Sequence, residues 1–370
     1  MFRQPGKGNF PKRLRIPALI LIIAVAAFLL GIGGWARWNR SPSAGKSIGS
    51  PGTAPTSPAI TGGIPPTNNG SVSPLIFGTN LSLFDSNDQV LTSAATRNTL
   101  RQMHFRIIRM PVRSSLSNAT EIQAAEAIKS IGAYALVILR GAVDANVLAD
   151  DMRLVNDMNT VFGNAVVFYE YGNEEDLLGV NVNRYTDSWN TVVPQLKRLA
   201  LNGRFIGPVN YHYDGDYLSA FLQRASPRPD EVSWHEYSCD DSWPNDRCIS
   251  YIDHWSNDIS EARKAMMAVT GTTLPIMITE WNYAPNARVG DGKINNSDFM
   301  SSWTTRALET LAANRVFASM QYACTDSIYA VVRGDGTRTA QGIAMQNLYQ
   351  RMFLGGQQPT PISIPTSGHW

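Results

Sequence analysis

A chain of 370 residues, 44% hydrophobic and 17% charged, is long enough to bury one large core or two small ones, and is neither collagen-like nor disordered throughout. Lys and Arg total 32 against 30 Asp and Glu, but seven of the cations lie in the first forty residues, so the rest carries 25 against 30 and is mildly acidic. The overall charge therefore says nothing about nucleic acid, and none is expected as a partner; three cysteines without C-x-x-C or H-E-x-x-H spacing offer no metal site.

Residues 1–15 form a basic tail with Arg3, Lys7, Lys12, Arg13 and Arg15 and no acid, and an uncharged run follows over 16–36. At about 1.5 Å per residue that run reaches roughly 30 Å, enough to cross a hydrocarbon core. The basic flank predicts a single-pass signal-anchor with its N-terminus in the cytoplasm and the remainder outside the cell membrane. A cleaved signal peptide, and hence a secreted protein, is the alternative. The run closes on Gly33, Gly34, Trp35 and Ala36 without a clear A-x-A site. Residues 37–73 are nearly all Ser, Pro, Thr, Gly and Ala and read as a flexible, disordered linker.

From residue 74 to 355 short apolar runs alternate with longer amphipathic ones. Strands are expected at 75–83, 106–112, 134–140, 165–171, 204–210, 231–237, 275–281 and 317–322, with helical spacing between them and again after the last. Eight strand-helix units in one domain predict a (β/α)₈ TIM barrel. A doubly wound open sheet is the runner-up, but no G-x-G-x-x-G follows the first strand. Residues 356–370 read as a flexible tail. Cys239 and Cys248 bracket a short polar loop and are either disulfide-bonded or reduced, with Cys324 left over.

In a barrel the chemistry sits where strands end. The fourth strand ends in Asn173-Glu174-Glu175-Asp176 and the seventh in Thr279-Glu280-Trp281. Two glutamates at such tips, about 5 to 5.5 Å apart, suit glycosidic-bond cleavage in which one attacks the anomeric carbon and the other protonates the leaving oxygen. Such a pair needs no cofactor. Period-two alternation groups Ile276, Ile278 and Glu280 on one face, Ile107 with Arg109 on the second strand, and Ser233, His235 and Tyr237 on the sixth. If those faces line the interior, Arg109 keeps Glu280 ionised and Tyr237 hydrogen-bonds it. Taken singly, each of these residues is as well explained by a structural ion pair or a satisfied core position, and the acids at 174–176 by a solvated loop.

Together the pattern resembles the clan A glycoside hydrolases, the retaining barrel enzymes that include family 5 and family 39. The matches are Asn173-Glu174 at strand four, Glu280 in ITEW at strand seven, Arg109 in RMPV, and His235-Glu236-Tyr237. The resemblance implies Glu174 as acid/base, Glu280 as nucleophile, and Asn173, Arg109, His235, Tyr237 and Tyr322 as substrate-binding residues. It implies hydrolysis of β-glycosidic bonds of an extracellular oligo- or polysaccharide by double displacement, with Asn173 on the sugar 2-hydroxyl and mutual repulsion of the glutamates keeping Glu174 protonated. A transglycosidase, or an inactive carbohydrate-binding barrel, are the alternatives. There are departures. Glu175 stands where many relatives have Pro and is the rival acid/base. Arg140 and Tyr322 stand where family 5 often has His and Trp; Arg140 is a candidate for an acidic sugar substituent, and Tyr322, Trp243 or Trp281 for stacking on a sugar face.

Overall fold

The computed structural model describes residues 72–143 and 147–355. The expected basic tail, anchor, almost all of the linker and the tail after 355 lie outside the described residues. Among the described residues no helix is long and apolar enough to cross a membrane.

Eight strands are present: β1 Gly78–Asn80, β2 Ile107–Met110, β3 Tyr134–Leu139, β4 Val167–Tyr171, β5 Gly203–Ile206, β6 Val232–Tyr237, β7 Ile276–Asn282 and β8 Ala318–Gln321. They pair in parallel in the order β5-β4-β3-β2-β1-β8-β7-β6. Parallel bridges from Ile206 to Glu231 and from Asn210 to Trp234 bring β5 against β6, so the sheet is a nearly closed barrel. The helices that follow β2 to β8 include α1 Asn118–Ile131, α2 Val147–Phe162, α3 Val182–Leu199, α4 Gly215–Arg224, α5 Asp253–Thr270, α6 Ser297–Ala313 and α7 Ala340–Phe353. Several start where the sequence supplies a cap. Ser117 accepts from the Thr120 N–H at the start of α1, Asn181 from Arg184 at α3, and Asn296 from Asp298 and Phe299 at α6.

The first and fifth strands are shorter than expected. Pro74–Ile76 forms a 3₁₀ turn that leaves only Gly78–Asn80 for β1. β5 stops at Ile206 because Pro208, two residues on, has no N–H for the ladder.

Strand alternation sorts the core into two parts. Ile107, Leu136, Phe168, Ile206, Met277 and Met320 form one buried cluster drawn from strands around the sheet, which plugs the barrel interior. Their neighbours in sequence, among them Ile108, Val137, Tyr169, Phe205 and Ile278, belong to the larger cluster under the helices. Trp281 lies in that outer layer, fully buried, with ring centroids 6.3 Å from Trp255 and 5.9 Å from Trp303. It faces the helices and is therefore not a sugar platform.

The plug leaves no room beneath β1. A Cβ on Gly78 would lie 2.4 Å from the Ser319 carbonyl oxygen and 2.7 Å from Ile107 Cγ2, wedging β1 away from both neighbours. Gly78→Ala is expected to cost about 1–3 kcal/mol, the usual penalty of overpacking. Urea denaturation reads it as a lower midpoint at unchanged slope; an unchanged midpoint would mean that the strands can separate without cost.

Candidate active site

Glu280 reaches the barrel mouth through an irregularity in β7. Met277 points into the barrel while Ile276 and Ile278 point to the helices, so strict alternation would carry Glu280 outward with them. The register corrects this. Ile278 pairs with Trp234 and Glu280 with His235, adjacent residues of β6, and on the other side two β7 residues between Ile278 and Trp281 face the single Met320 between Ser319 and Gln321. Thr279 is thus the extra residue of a β-bulge, the device by which a strand re-aims a side chain. The expected shared face of Ile276, Ile278 and Glu280 does not exist; the bulge alone turns Glu280 inward.

Glu174 arrives from a different backbone feature. It sits at φ 50°, the left-handed region that a non-glycine residue occupies only when its surroundings hold it there. Its N–H donates to the Val209 carbonyl at 2.9 Å, fixing the turn after β4. Glu174 Oε1 then lies 2.6 Å from His235 Nδ1. Glu280 Oε1 accepts from the Tyr237 hydroxyl at 2.5 Å, and Oε2 from Arg109 Nη1 at 3.1 Å. Glu174 and Glu280 have carboxylate oxygens within 4.8 Å of one another, with side chains 20% and 15% exposed, so both are largely buried yet still reach solvent.

Arg109 is the hub beneath them. It is buried, and its guanidinium donates from Nε to Glu170 Oε2 at 2.6 Å, from Nη1 to Asn80 Oδ1 and Glu280 Oε2, each at 3.1 Å, and from Nη2 to Asn173 Oδ1 at 2.5 Å. His235 Nε2 is 3.4 Å from the same Nη2. Glu170 also accepts from Ser233 Oγ at 2.8 Å. A planar guanidinium with fixed donors therefore sets the positions of strand ends from β1, β2, β4, β6 and β7 at once.

No protein-family model and no curated protein matches this chain. Solved structures do. The α-L-arabinofuranosidase of Thermotoga maritima in its arabinose complex superimposes with a TM-score of 0.58 at 13% identity, over 76% of this chain and 71% of that one. The family 51 α-L-arabinofuranosidase AbfB of Bifidobacterium longum gives 0.60 at 11% identity, over 75% and 73%. A GH5-4 broad-specificity endoglucanase from Clostridium longisporum gives 0.52 at 10%, over 75% and 97%. The chain shares the barrel fold of these glycoside hydrolases. The likeness is one of fold, and the structures it names are of families 51 and 5, where the sequence reading named families 5 and 39.

Within the barrel Asn173, Arg109, His235 and Tyr237 all come together with the two glutamates. Glu175 does not. It is buried beside Gly141 and Gly172, and its Oε1 accepts from the Ala142 N–H at 2.6 Å and the Val143 N–H at 3.3 Å, which makes it the anchor of the loop after β3 and removes it as a rival acid/base. Asp176 accepts from the Tyr211 N–H at 3.2 Å, so the acids at 174–176 are not a solvated loop. Arg140 pairs with Asp150 on α2 at 3.8 Å and is not among the partners of the Arg109 hub. Tyr322 follows β8, half-buried, with its ring 5.9 Å from Tyr329. Trp243 lies under the Arg247 guanidinium, 3.6 Å from its ring centroid, in the loop that the Cys239–Cys248 disulfide closes. Asn80 and Glu170 are site residues that sequence reading missed, and Ser233, which it placed on the inward face of β6, was given no role there. For Glu170 a signal was there: a carboxylate two residues beyond Phe168 on an inward strand face needs a cation, and Arg109 is the cation on the matching face of β2.

The electrostatics separate the two glutamates. Burial pushes the Glu174 carboxyl up to about 7, with the Arg109 charge opposing and that of Glu170 adding to the rise. The helping negative charge is thus Glu170, where the sequence suggested Glu280. Burial pushes His235 down to about 4, so at 2.6 Å the His235–Glu174 contact is a neutral hydrogen bond rather than an ion pair near pH 6. Arg109 can only donate, so His235 Nε2 beside it is the unprotonated nitrogen and Nδ1–H faces Glu174 Oε1. Burial, and then the Glu280 charge, raise Tyr237 well above the usual phenol range, so its hydroxyl keeps its proton for Glu280.

The Glu174 shift has a consequence for stability. Its carboxyl is neutral in the fold up to about pH 7 but titrates near 4.5 when unfolded, so the contribution is whole below pH 4.5 and is lost as pH rises to 7. The loss is about 3 kcal/mol. Glu174→Gln is therefore expected to lose less stability than wild type between pH 5 and 8. Thermal melts across that range check this, and parallel curves would show that Glu174 is not held neutral.

Proposed function

We propose that this protein is a retaining glycoside hydrolase that cleaves β-glycosidic bonds of an extracellular oligo- or polysaccharide. The observation that carries the reading is the pair itself. Two carboxylates have oxygens within 4.8 Å, one held by a guanidinium and a phenol and the other buried so that it keeps its proton to about pH 7. That separation suits direct attack on the sugar, whereas inversion needs about 6.5–9.5 Å to seat a water.

In the first step a Glu280 oxygen bonds to the anomeric carbon as the carbon–oxygen bond to the leaving group breaks, and the Glu174 proton passes to that oxygen. In the second, the Glu174 carboxylate takes a proton from water, the water oxygen bonds to the anomeric carbon, and Glu280 is released as a carboxylate. Arg109 and Tyr237 aim the nucleophile. His235 Nδ1–H occupies one oxygen of Glu174 and leaves the other for the proton in flight. Because Arg109 ties down the Asn173 amide oxygen, the Asn173 NH₂ is the group free to meet the sugar 2-hydroxyl.

The test is hydrolysis of a panel of aryl β-glycosides, an aryl α-L-arabinofuranoside and β-glucans by the purified protein, with the first-formed anomer followed by NMR. Net retention is expected, and inversion would overturn the mechanism. We further propose that residues 16–36 anchor the enzyme in the cell membrane with the barrel outside; the uncharged run and its basic flank support this. Recovery of the protein in the soluble fraction after alkaline extraction of membranes would count against it.

A further inference from the structure

We infer that Asn80 is a positioning residue that locks the β7 bulge and thereby aims Glu280. A bulge interrupts its ladder and leaves backbone groups in need of partners. Asn80 ends β1, directly opposite Arg109 in register and buried. Its Nδ2 lies 3.2 Å from the carbonyl oxygen of Thr279, the extra residue, 3.2 Å from that of Met320 and 3.3 Å from that of Gln321, the two β8 residues across the irregularity. Its Oδ1 accepts from Arg109 Nη1 at 3.1 Å, the same nitrogen that donates to Glu280 at 3.1 Å. The orientation is fixed by chemistry: the carbonyls only accept and the guanidinium only donates, so the amide nitrogen faces the bulge and the oxygen faces Arg109.

One side chain thus fixes Glu280 twice, through the backbone that carries it and through the cation that holds its carboxylate. No other residue type of this size does both. Asp offers the acceptor for Arg109 but sets a carboxylate oxygen against three carbonyls; Leu fills the space and offers neither. Asn80 meets none of the reacting atoms, and its effect runs entirely through Thr279 and Arg109.

The inference needs the hydrolase reading only for its kinetic arm, so two measurements are made on the full chain, wild type against Asn80→Asp and Asn80→Ala. The first is amide hydrogen exchange across residues 276–282 with β2 to β4 as the internal reference. The second is kcat and KM on the best aryl glycoside. The expected result is faster exchange confined to β7 and β8 in both variants, with kcat lower by about 10²-fold, the usual cost of misplacing a reacting group by an ångström, and KM within a few-fold of wild type. A wild-type-like Asn80→Asp would overturn the inference, because that variant keeps the acceptor for Arg109 but turns the donation to the bulge into a carboxylate oxygen facing the carbonyls. Exchange that rises evenly through the barrel would overturn it too, showing a general packing role. Faster exchange confined to β7 and β8 in a protein whose wild type cleaves no glycoside would uphold the lock on the bulge and sink the hydrolase reading instead.

Discussion

Glu280→Gly is expected to lower turnover by on the order of 10⁴-fold or more, since in the proposed mechanism Glu280 is the group that forms the covalent intermediate. The variant should still fold. Arg109 keeps its bond to Glu170 at 2.6 Å, so no buried cation is orphaned, and the lost side chain was partly open to solvent. What remains at the vacated position is a guanidinium nitrogen and a phenol hydroxyl that both pointed at a carboxylate oxygen. A small anion fits there. Added azide should restore cleavage of activated aryl glycosides by direct displacement, giving a glycosyl azide of inverted configuration. Full activity without azide would remove Glu280 from the chemistry. Rescue with retained configuration would assign the attack to the other face and therefore to the wrong glutamate.

The barrel was legible because each strand is a short apolar run set off by helical spacing, and all eight runs fall on observed strands. The site was legible in outline because Glu174, Glu280, Arg109 and the His235–Tyr237 pair stand at strand ends in chain order. What the sequence hid is backbone. Nothing in IMITEW announces that Thr279 is an extra residue, and the alternation rule, applied without it, grouped Glu280 with Ile276 and Ile278, which face the helices. The same bulge carries Trp281 outward into the cluster with Trp255 and Trp303, where the sequence had allowed it a place against sugar. The sequence favoured Glu174 but left Glu175 as a rival; the left-handed turn at Glu174 and the N–H groups of Ala142 and Val143 on Glu175 tell them apart. Asn80 and Glu170 were missed because their roles exist only between strands distant in sequence, and pattern within a segment cannot show such partners.

Glu174→Ala should behave differently from the nucleophile variant, and the difference is diagnostic. With a poor leaving group such as a second sugar, loss of the proton donor is expected to lower kcat/KM by about 10²–10⁴-fold. With an activated aryl group that departs as a stable anion, the first step needs no proton and should be nearly unaffected, while the second step slows for want of a base. The covalent intermediate then accumulates, seen as a burst of phenol in stopped flow. Azide, which needs no general base, should relieve that block and give a glycosyl azide of retained configuration, opposite to the product of Glu280→Gly. The pH profile supplies an independent check. In wild type, kcat/KM should fall on the alkaline side with an apparent pKa near 7, because burial holds the Glu174 proton to that point, and the limb should vanish in Glu174→Ala. A variant that keeps the wild-type dependence on leaving group would show that the proton comes from elsewhere. Glu175, committed to two backbone N–H groups of the loop after β3, is not placed to supply it, so that result would point to solvent as the acid and to a site more open than the 20% exposure of Glu174 implies.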